Sequence, residues 1–324
     1  MQSSLDMITI IMATYNGSKY LKAQLDSIIN QSYKNWRLVI RDDGSSDNTL
    51  AILYEYKAKD NRIDVIIDSK SNLGVTLNFA ELMEYCKDSK YLMFSDQDDV
   101  WLSNKIEDTN KLMKDTEQKY GQDIPLLVYA GLQLVDENLN YLTVPDNIKN
   151  CFNSNESRIN LNILIAENCI NGCTMMLNNS LLRACLPIPV EAENHDYWVA
   201  LIAVSIGRIV KLDRPCILYR QHSSNNSGGI SSASFANRFK RVLFGWKEID
   251  YIVNMRITQA LVLKERVLQN LDDKNKQMLT DYLSKAVNGG ILAIYSAIKN
   301  KIYKHSFQST FIFYLALFRM RKVI

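Results

Sequence analysis

Three carboxylates fall within four residues at Asp96-Gln97-Asp98-Asp99, and an earlier acidic pair, Asp42-Asp43, opens Asp42-Asp43-Gly44-Ser45-Ser46-Asp47. Acids this close repel one another and need a counter-charge or water. A hard divalent cation carrying a phosphate ester meets that need, since Mg²⁺ is typically held by one or two carboxylates together with substrate phosphates. An acidic surface turn would carry the same letters. What separates the two readings is where the surrounding elements put these residues.

Tyr91-Leu92-Met93-Phe94 reads as a buried strand that runs out into the acidic loop. Met7 to Ala13 is a short β-branched run without helical periodicity, a first strand. Thr14-Tyr15-Asn16-Gly17 is turn chemistry, with Ser18 expected to cap a helix to about Asn30 whose Leu21, Leu25, Ile28 and Ile29 face the sheet. Trp36 to Ile40 is a second strand closed by the Asp42 turn, where Ser46 or Asp47 caps the next helix. Ile63 to Ile67 is a third strand, followed by Asn72-Leu73-Gly74 and a helix from Val75 to Cys86. Strand and helix alternate at a spacing of roughly thirty residues, the size of a βαβ unit. That predicts a parallel sheet with right-handed crossovers. Thr14 to Asn16, Asp42 with Asp43, and Asp96 to Asp99 then all lie at carboxyl ends of strands, where open α/β sheets bind ligands. No Gly-x-Gly-x-x-Gly follows the first strand and no Walker loop occurs, which argues against a dinucleotide dehydrogenase or a P-loop enzyme.

Beyond the acidic loop the pattern predicts a helix over 104–120, a strand at Leu126–Tyr129 and a hairpin over 133–144 turned at Asp136–Asn140. Asn147 to Arg158 reads as a polar loop over the site. Gly172–Leu177 reads as a strand, Asn178–Cys185 as a short helix, and His195-Asp196 as the start of an apolar helix. Arg208–Leu212 and Cys216–Tyr219 follow as two short strands, the second ending in Arg220-Gln221-His222, and Ser223–Ser234 has linker composition. The expected division is a catalytic domain over 1–230 and a helical, basic, amphipathic extension over 235–324.

Charge follows the same division. Residues 1–237 carry 22 Lys/Arg against 29 Asp/Glu, and residues 238–324 carry 16 against 6. A basic tail on an acidic body points to a membrane surface or nucleic acid. Aromatics on one face of Phe235–Trp246 and an apolar stretch at Phe311–Phe318 favour an interfacial helix, and so the membrane over nucleic acid. Helices 248–270 and 273–299 lie between them, and simple packing on the body is the competing reading. No run reaches the ~18–20 apolar residues of a spanning helix. The six cysteines form neither a disulfide framework nor a zinc motif, which suggests a reducing compartment, and the N-terminus lacks the pattern of a secretory signal.

Six stretches, in order and spacing, resemble the family 2 glycosyltransferases of GT-A fold, and within them the bacterial rhamnosyltransferase-like branch. They are Ala13-Thr14-Tyr15-Asn16-Gly17, the Asp42–Asp47 turn, Asn72-Leu73-Gly74, Ser95–Trp101, His195-Asp196-Tyr197-Trp198 and Tyr219-Arg220-Gln221-His222, and the likeness covers about residues 7–228. The resemblance implies a Rossmann-like, mostly parallel sheet flanked by helices. It implies that Thr14, Tyr15, Asn16, Asp42, Asp43, Asn72, Gly74 and Asp96 hold the nucleotide, with an Asp42 or Asp43 carboxylate on the imide N–H of uracil or thymine. It makes Asp98 the direct ligand of Mn²⁺ or Mg²⁺, with Asp96 and His222 in support, and sets Asp99, Arg220 and His222 near the donor sugar or pyrophosphate. Asp196 would be the base that takes the acceptor hydroxyl proton, its pKa expected to be lowered at a helix N-terminus. Trp198 is read as core. The implied activity is inverting, metal-dependent transfer from a UDP- or dTDP-sugar, with rhamnose among the candidates, to a growing lipid-linked surface glycan at the cytoplasmic face of a bacterial membrane. A nucleotidyltransferase and an inactive sugar-nucleotide-binding protein are the alternatives.

Overall fold

Alternating apolar residues from Ile8 to Thr14 form β1, which lies inside the sheet of a computed structural model describing residues 6–144, 159–222 and 245–320. The further elements before the first gap are α1 (Leu21–Ile29), β2 (Trp36–Asp42), α2 (Thr49–Lys59), β3 (Ile63–Ile66), α3 (Val75–Tyr85), β4 (Tyr91–Ser95), β5 (Val100–Trp101), α4 (Lys105–Tyr120) and β6 (Leu126–Val135). After it come α5 (Leu161–Leu164), β7 (Met175–Asn178), α6 (Asn179–Cys185), α7 (His195–Ile206) and β8 (Arg208–Arg220). The C-terminal part holds α8 (Trp246–Val267), α9 (Asp273–Ala286), α10 (Gly290–Lys299) and α11 (Phe307–Arg319). The polar loop read at 147–158, the linker at 223–234 and most of the interfacial helix from Phe235 lie outside the described residues.

The eight strands make one sheet in the order β3-β2-β1-β4-β7-β6-β8-β5. Pairing is parallel from β3 through β4, as the βαβ alternation requires. Beyond β4 the sheet is mixed: β7 runs antiparallel to β4 and β6, β6 and β8 are parallel, and β5 is antiparallel to β8. The molecule is thus a mixed α/β fold with C-terminal helices, and "mostly parallel" describes its first half.

Period-two alternation divides the core between the two sheet faces. Ile8, Ile10, Met12, Leu38, Ile40, Tyr91 and Met93 belong to one apolar cluster, and Ile11, Val39, Leu92 and Phe94 to the other. The second cluster continues without a break into Val253, Ile257 and Leu263 of α8, Leu279 and Tyr282 of α9, and Phe313 and Leu317 of α11. The C-terminal helices therefore pack on the body along this face. Trp198 is fully buried and donates Nε1–H to the Cys185 carbonyl (3.0 Å), a core residue as read.

Several boundaries differ from the sequence reading. α1 begins at Leu21 with Tyr20 at the cap position expected for Ser18, after a turn in which the Tyr20 N–H donates to the Gly17 carbonyl. Residues 208–220 form one strand whose register on β6 shifts around Gly131, so the two expected short strands are one. β6 itself runs on to Val135, and the expected hairpin is reduced to one bridge between Val135 and Tyr141. Gly172–Thr174 is a 3-10 turn, and its strand starts at Met175. The helix expected over 273–299 breaks at Gly289, whose φ of 65° is left-handed and where a Cβ would lie 2.3 Å from the Met320 carbonyl oxygen. The five described cysteines are free and buried.

Candidate active site

The loops that leave β1, β2, β3 and β4 are bonded to one another. Thr14 Oγ1 donates to Asp42 Oδ2 (2.8 Å), as does Ser45 Oγ (2.6 Å), while Oδ1 takes the Gly44 and Ser45 N–H groups (3.1 and 2.7 Å). Asp43, 4% exposed, accepts from the Leu73 and Gly74 N–H groups (2.9 and 2.8 Å) and from Arg41 (3.3 Å). These bonds fill the roughly four acceptor sites of the Asp42 carboxylate and bury that of Asp43. A nucleobase contact at Asp42 would require a bond to be exchanged, whereas Asp43, with three bonds, keeps one acceptor site, and both carboxylates shape the turn. Asn16 and Asn72 adopt left-handed φ values of 47° and 57°, and the Asn16 side chain accepts from the Ser46 N–H (2.9 Å). Tyr15 is half exposed at the rim, where its ring is available to a base.

Arg41, which the sequence reading did not single out, organises this end. Its guanidinium is buried and bonds Asp68 twice (2.9 Å each), Asn78 (3.0 Å), Asp43 and the Lys70 carbonyl (2.7 Å). Gln97 has a role of the same kind. Its amide bonds the backbone N–H and carbonyl of Tyr15 (3.0 Å each), tying the acidic loop to the β1 loop. A Cβ at Gly17 would lie 2.2 Å from the Gln97 amide oxygen, so only glycine fits beneath that bridge.

Within the acidic loop the three acids have separate surroundings. Asp98 is partly exposed and its Oδ2 lies 2.9 Å from Nε2 of His222, whose ring packs 4.8 Å from that of Tyr20. Asp96 is also partly exposed, and its carboxyl is pushed up to about 7 by burial first, then by Asp98 and Asp196. Asp99 is 1% exposed and accepts the Arg220 N–H (3.1 Å), and burial with its two acidic neighbours raises it well above the carboxylate range. It is therefore buried at the strand end, unlike the partly exposed Asp96 and Asp98. Arg220 is likewise buried, donating to the carbonyls of Asp98 (2.7 Å) and Glu137 (2.6 Å) with its guanidinium over the Tyr20 ring. It braces the acidic loop through the Asp98 carbonyl. Lys105, a further residue the reading missed, is buried near Asp96 and Asp99. Its Nζ bonds the Cys173 carbonyl (2.7 Å) and sits over the Trp101 ring, and burial lowers its pKa to about 7.

Among the described residues one set of donor atoms lies close enough together to share a cation, and the contacting pair Asp98 and His222 offers a second candidate with Asp96. A carboxylate oxygen each of Asp96 and Asp99 and the Cys173 sulfur lie within 4.8 Å of one another, but the thiol is buried and its pKa is raised well above the usual value. A protonated soft donor beside a carboxyl already bonded to backbone suits a buried proton better than Mg²⁺ or Mn²⁺. Asp98, His222 and Asp96 offer oxygen and nitrogen donors at the crevice surface. Asp98 helps to raise the Asp96 carboxyl, a repulsion that a bound cation would relieve, so these residues fit the implied metal.

At the other end of the crevice His195 and Asp196 open α7. Asp196 Oδ2 accepts the Gly172 N–H (2.9 Å) and Oδ1 accepts from Asn168 (3.2 Å). A Cβ at Gly172 would stand 3.0 Å from that of Asp196, so a glycine allows this close approach. Contrary to the expected lowering, the Asp196 pKa is raised to about 6, because burial outweighs the backbone N–H groups of Gly172 and Tyr197. His195 stacks on Phe79 (3.9 Å between centroids), and neither ring nitrogen has a hydrogen-bond partner. Burial pushes it down to about 3, so it is a neutral apolar wall beside the acid. The structure thus gathers Thr14, Tyr15, Asn16, Asp42, Asp43, Asn72, Gly74, Asp96, Asp98 and His222 around linked strand ends, and Asp196 near enough to Asp96 to raise its pKa.

Residues 9–125 match the model for glycosyl transferase family 2. The chain is 29% identical over 267 residues to the dTDP-rhamnosyl transferase RfbG of Shigella flexneri, covering 78% of this chain and 86% of the relative. It is 25% identical over 252 residues to WfgD of Escherichia coli, a UDP-Glc:alpha-D-GlcNAc-diphosphoundecaprenol beta-1,3-glucosyltransferase, covering 76% and 87%. Among solved structures, S. aureus TarS residues 1–349 in complex with UDP aligns with a TM-score of 0.54 at 18% identity, over 90% of this chain and 88% of that one. In a longer TarS structure the aligned region is 55% of the chain. A mannosyltransferase from Pyrobaculum calidifontis in complex with GDP-Man and Mn²⁺ aligns with a TM-score of 0.52 at 13% identity, over 96% and 85%. These structural likenesses identify the GT-A fold.

Proposed function

We propose that this chain, whose residues 9–125 match glycosyl transferase family 2, is an inverting, metal-dependent glycosyltransferase moving a sugar from a UDP- or dTDP-sugar to a lipid-linked glycan. The observation that carries this reading is the pairing of Asp98 with His222 at 2.9 Å beside Asp96, whose carboxyl both Asp98 and Asp196 help to raise. Asp98, His222 and Asp96 would hold Mn²⁺ or Mg²⁺. When bound, such a cation neutralises charge developing on the leaving nucleoside diphosphate. Tyr15 offers its exposed ring to the base, and the turn built on Asp42 and Asp43 sets the shape of the nucleotide site. Asp196 takes the proton of the acceptor hydroxyl as that oxygen attacks the anomeric carbon from the face opposite the leaving group. A pKa near 6 suits this role, because the carboxylate is ionised near neutrality yet basic enough to share the proton.

The donor classes are supported by the names of RfbG and WfgD, and the lipid-linked acceptor by WfgD. Location at the cytoplasmic membrane face is supported by the surface of α10 and α11. Ile291, Leu292, Tyr295 and Ile298 project outward from α10 and Phe307 and Phe311 from α11, with Lys299 and Lys301 alongside. Such an apolar, aromatic face rimmed by lysine suits an anionic headgroup layer. No helix among the described residues is long and apolar enough to cross a membrane.

Calorimetric titration of UDP with and without Mn²⁺ tests the site. Asp98→Ala should abolish the Mn²⁺-dependent part of binding and with it transfer, whereas unchanged Mn²⁺-dependent binding would remove Asp98 from the metal site.

A further inference from the structure

Asp196 is gripped from two sides, and the C-terminal helices hold both. Upstream on the α7 side, the Glu193 carboxylate takes two bonds from Arg256 of α8, Nε to Oε2 at 2.7 Å and Nη2 to Oε1 at 3.0 Å. The Glu193 N–H donates to Gln259 Oε1 (2.8 Å), one turn further along the same helix. On the other side, Asn168 donates to Asp196, and the segment just before it is tied to the same Arg256, whose Nη1 donates to the Ala166 carbonyl. Glu167, between them, accepts from the ring Nδ1 of His305 (2.9 Å) and from its backbone N–H. The Arg256 guanidinium also lies 5.8 Å from the centroid of the Tyr197 ring, the residue after Asp196.

A helix recruited only for stability would dock through its apolar residues, as α8 does with Val253, Ile257, Ala260 and Leu263. A buried ion pair is a weak source of stability, because desolvating both charges offsets most of their attraction. What the pair provides is geometry: a planar, two-pronged link fixes direction as well as distance. Here one guanidinium spans the segment that leads into Asp196 and the segment that leads into its partner Asn168.

We propose that Arg256, supported by Gln259, is a positioning residue for the base, so that the C-terminal helices are part of the catalytic apparatus as well as a packing or membrane surface. The proposal rests on Asp196 being the base. Misplacing a reacting group by ~1 Å can cost on the order of 100-fold in rate. Arg256→Gln should accordingly lower kcat by about 10- to 100-fold, with donor KM and Mn²⁺-dependent UDP binding unchanged, and Arg256→Lys should recover part of the loss. In an Asp196→Asn background the same Arg256→Gln change should cost nothing further, since effects of groups that act as a unit are not additive.

A wild-type kcat in Arg256→Gln, or a loss of equal size in the Asp196→Asn background, would overturn the proposal while leaving the base assignment standing. Wild-type turnover in Asp196→Asn alone would remove the base assignment and this proposal with it. If Arg256→Gln does not bind UDP and so is unfolded, Gln259→Leu carries the test by the same criteria. It removes the acceptor of the Glu193 N–H and keeps the ion pair, and its smaller loss of kcat must again vanish in the Asp196→Asn background.

Discussion

At the nucleotide end of the crevice Asp42 is fixed by Thr14, Gly44 and Ser45, and Asp43 by Arg41, Leu73 and Gly74, residues of the same short motifs or of neighbouring strand ends. At the proposed base end Asp196 is fixed by Asn168 and Gly172, and the segment that ends in Asn168 is held in turn by Arg256 and by His305, the latter bonded to Glu167 across 138 residues of sequence. The nucleotide end is built from turns that satisfy their own backbone groups, so its geometry travels with its letters. The base end is a half-buried acid on an apolar helix, whose position depends on elements that arrive later in the chain. Burial also decides its electrostatics, raising a pKa that the helix terminus alone would lower.

Asp196→Asn strikes the base end directly and should have the largest effect. kcat should fall by about 10²–10⁴-fold with UDP binding unaltered. A raised carboxyl is a competent base only above its pKa, so wild-type kcat should decline as pH drops through about 6. The variant should lack that limb. An identical limb in Asp196→Asn would assign it to another group, Asp96 being the first candidate.

Arg41→Met strikes the nucleotide end through its buried brace. Breaking a buried ion pair on one side costs about 3–5 kcal/mol, so urea unfolding should shift by that much. A change below about 1 kcal/mol, within the range of an exposed pair, would show that the turns hold without their arginine. The smallest effect is expected outside both ends. Leu292→Ser with Phe307→Ser should weaken binding to anionic vesicles by about tenfold, on the order of 1–2 kcal/mol of apolar surface withdrawn from the bilayer, and leave UDP binding intact. Unchanged vesicle binding would take this face out of the membrane reading.

Much of this was legible in the chain. The βαβ spacing gave the parallel half of the sheet, because alternating and helical periodicities report directly which face is buried. Thr14, Asp42, Asp43, Asn72 and Gly74 were identifiable because turn-forming residues carry their conformation locally. Arg41, Lys105 and Gln97 were not, since a lone arginine, lysine or glutamine has no periodicity to mark it as a buried brace. Asp99 and Arg220 were found but their burial was not, as their letters do not tell an exposed charge from a buried one.

By itself, then, the sequence determined the alternating elements, the acidic strand ends and the likeness to family 2 glycosyltransferases, all of which rest on short-range patterns. Only the tertiary structure decided which acids face the crevice, what pKa Asp196 has, and that helices from the far end of the chain hold it. Burial and long-range pairing set those properties, and both exist only once the chain has closed on itself.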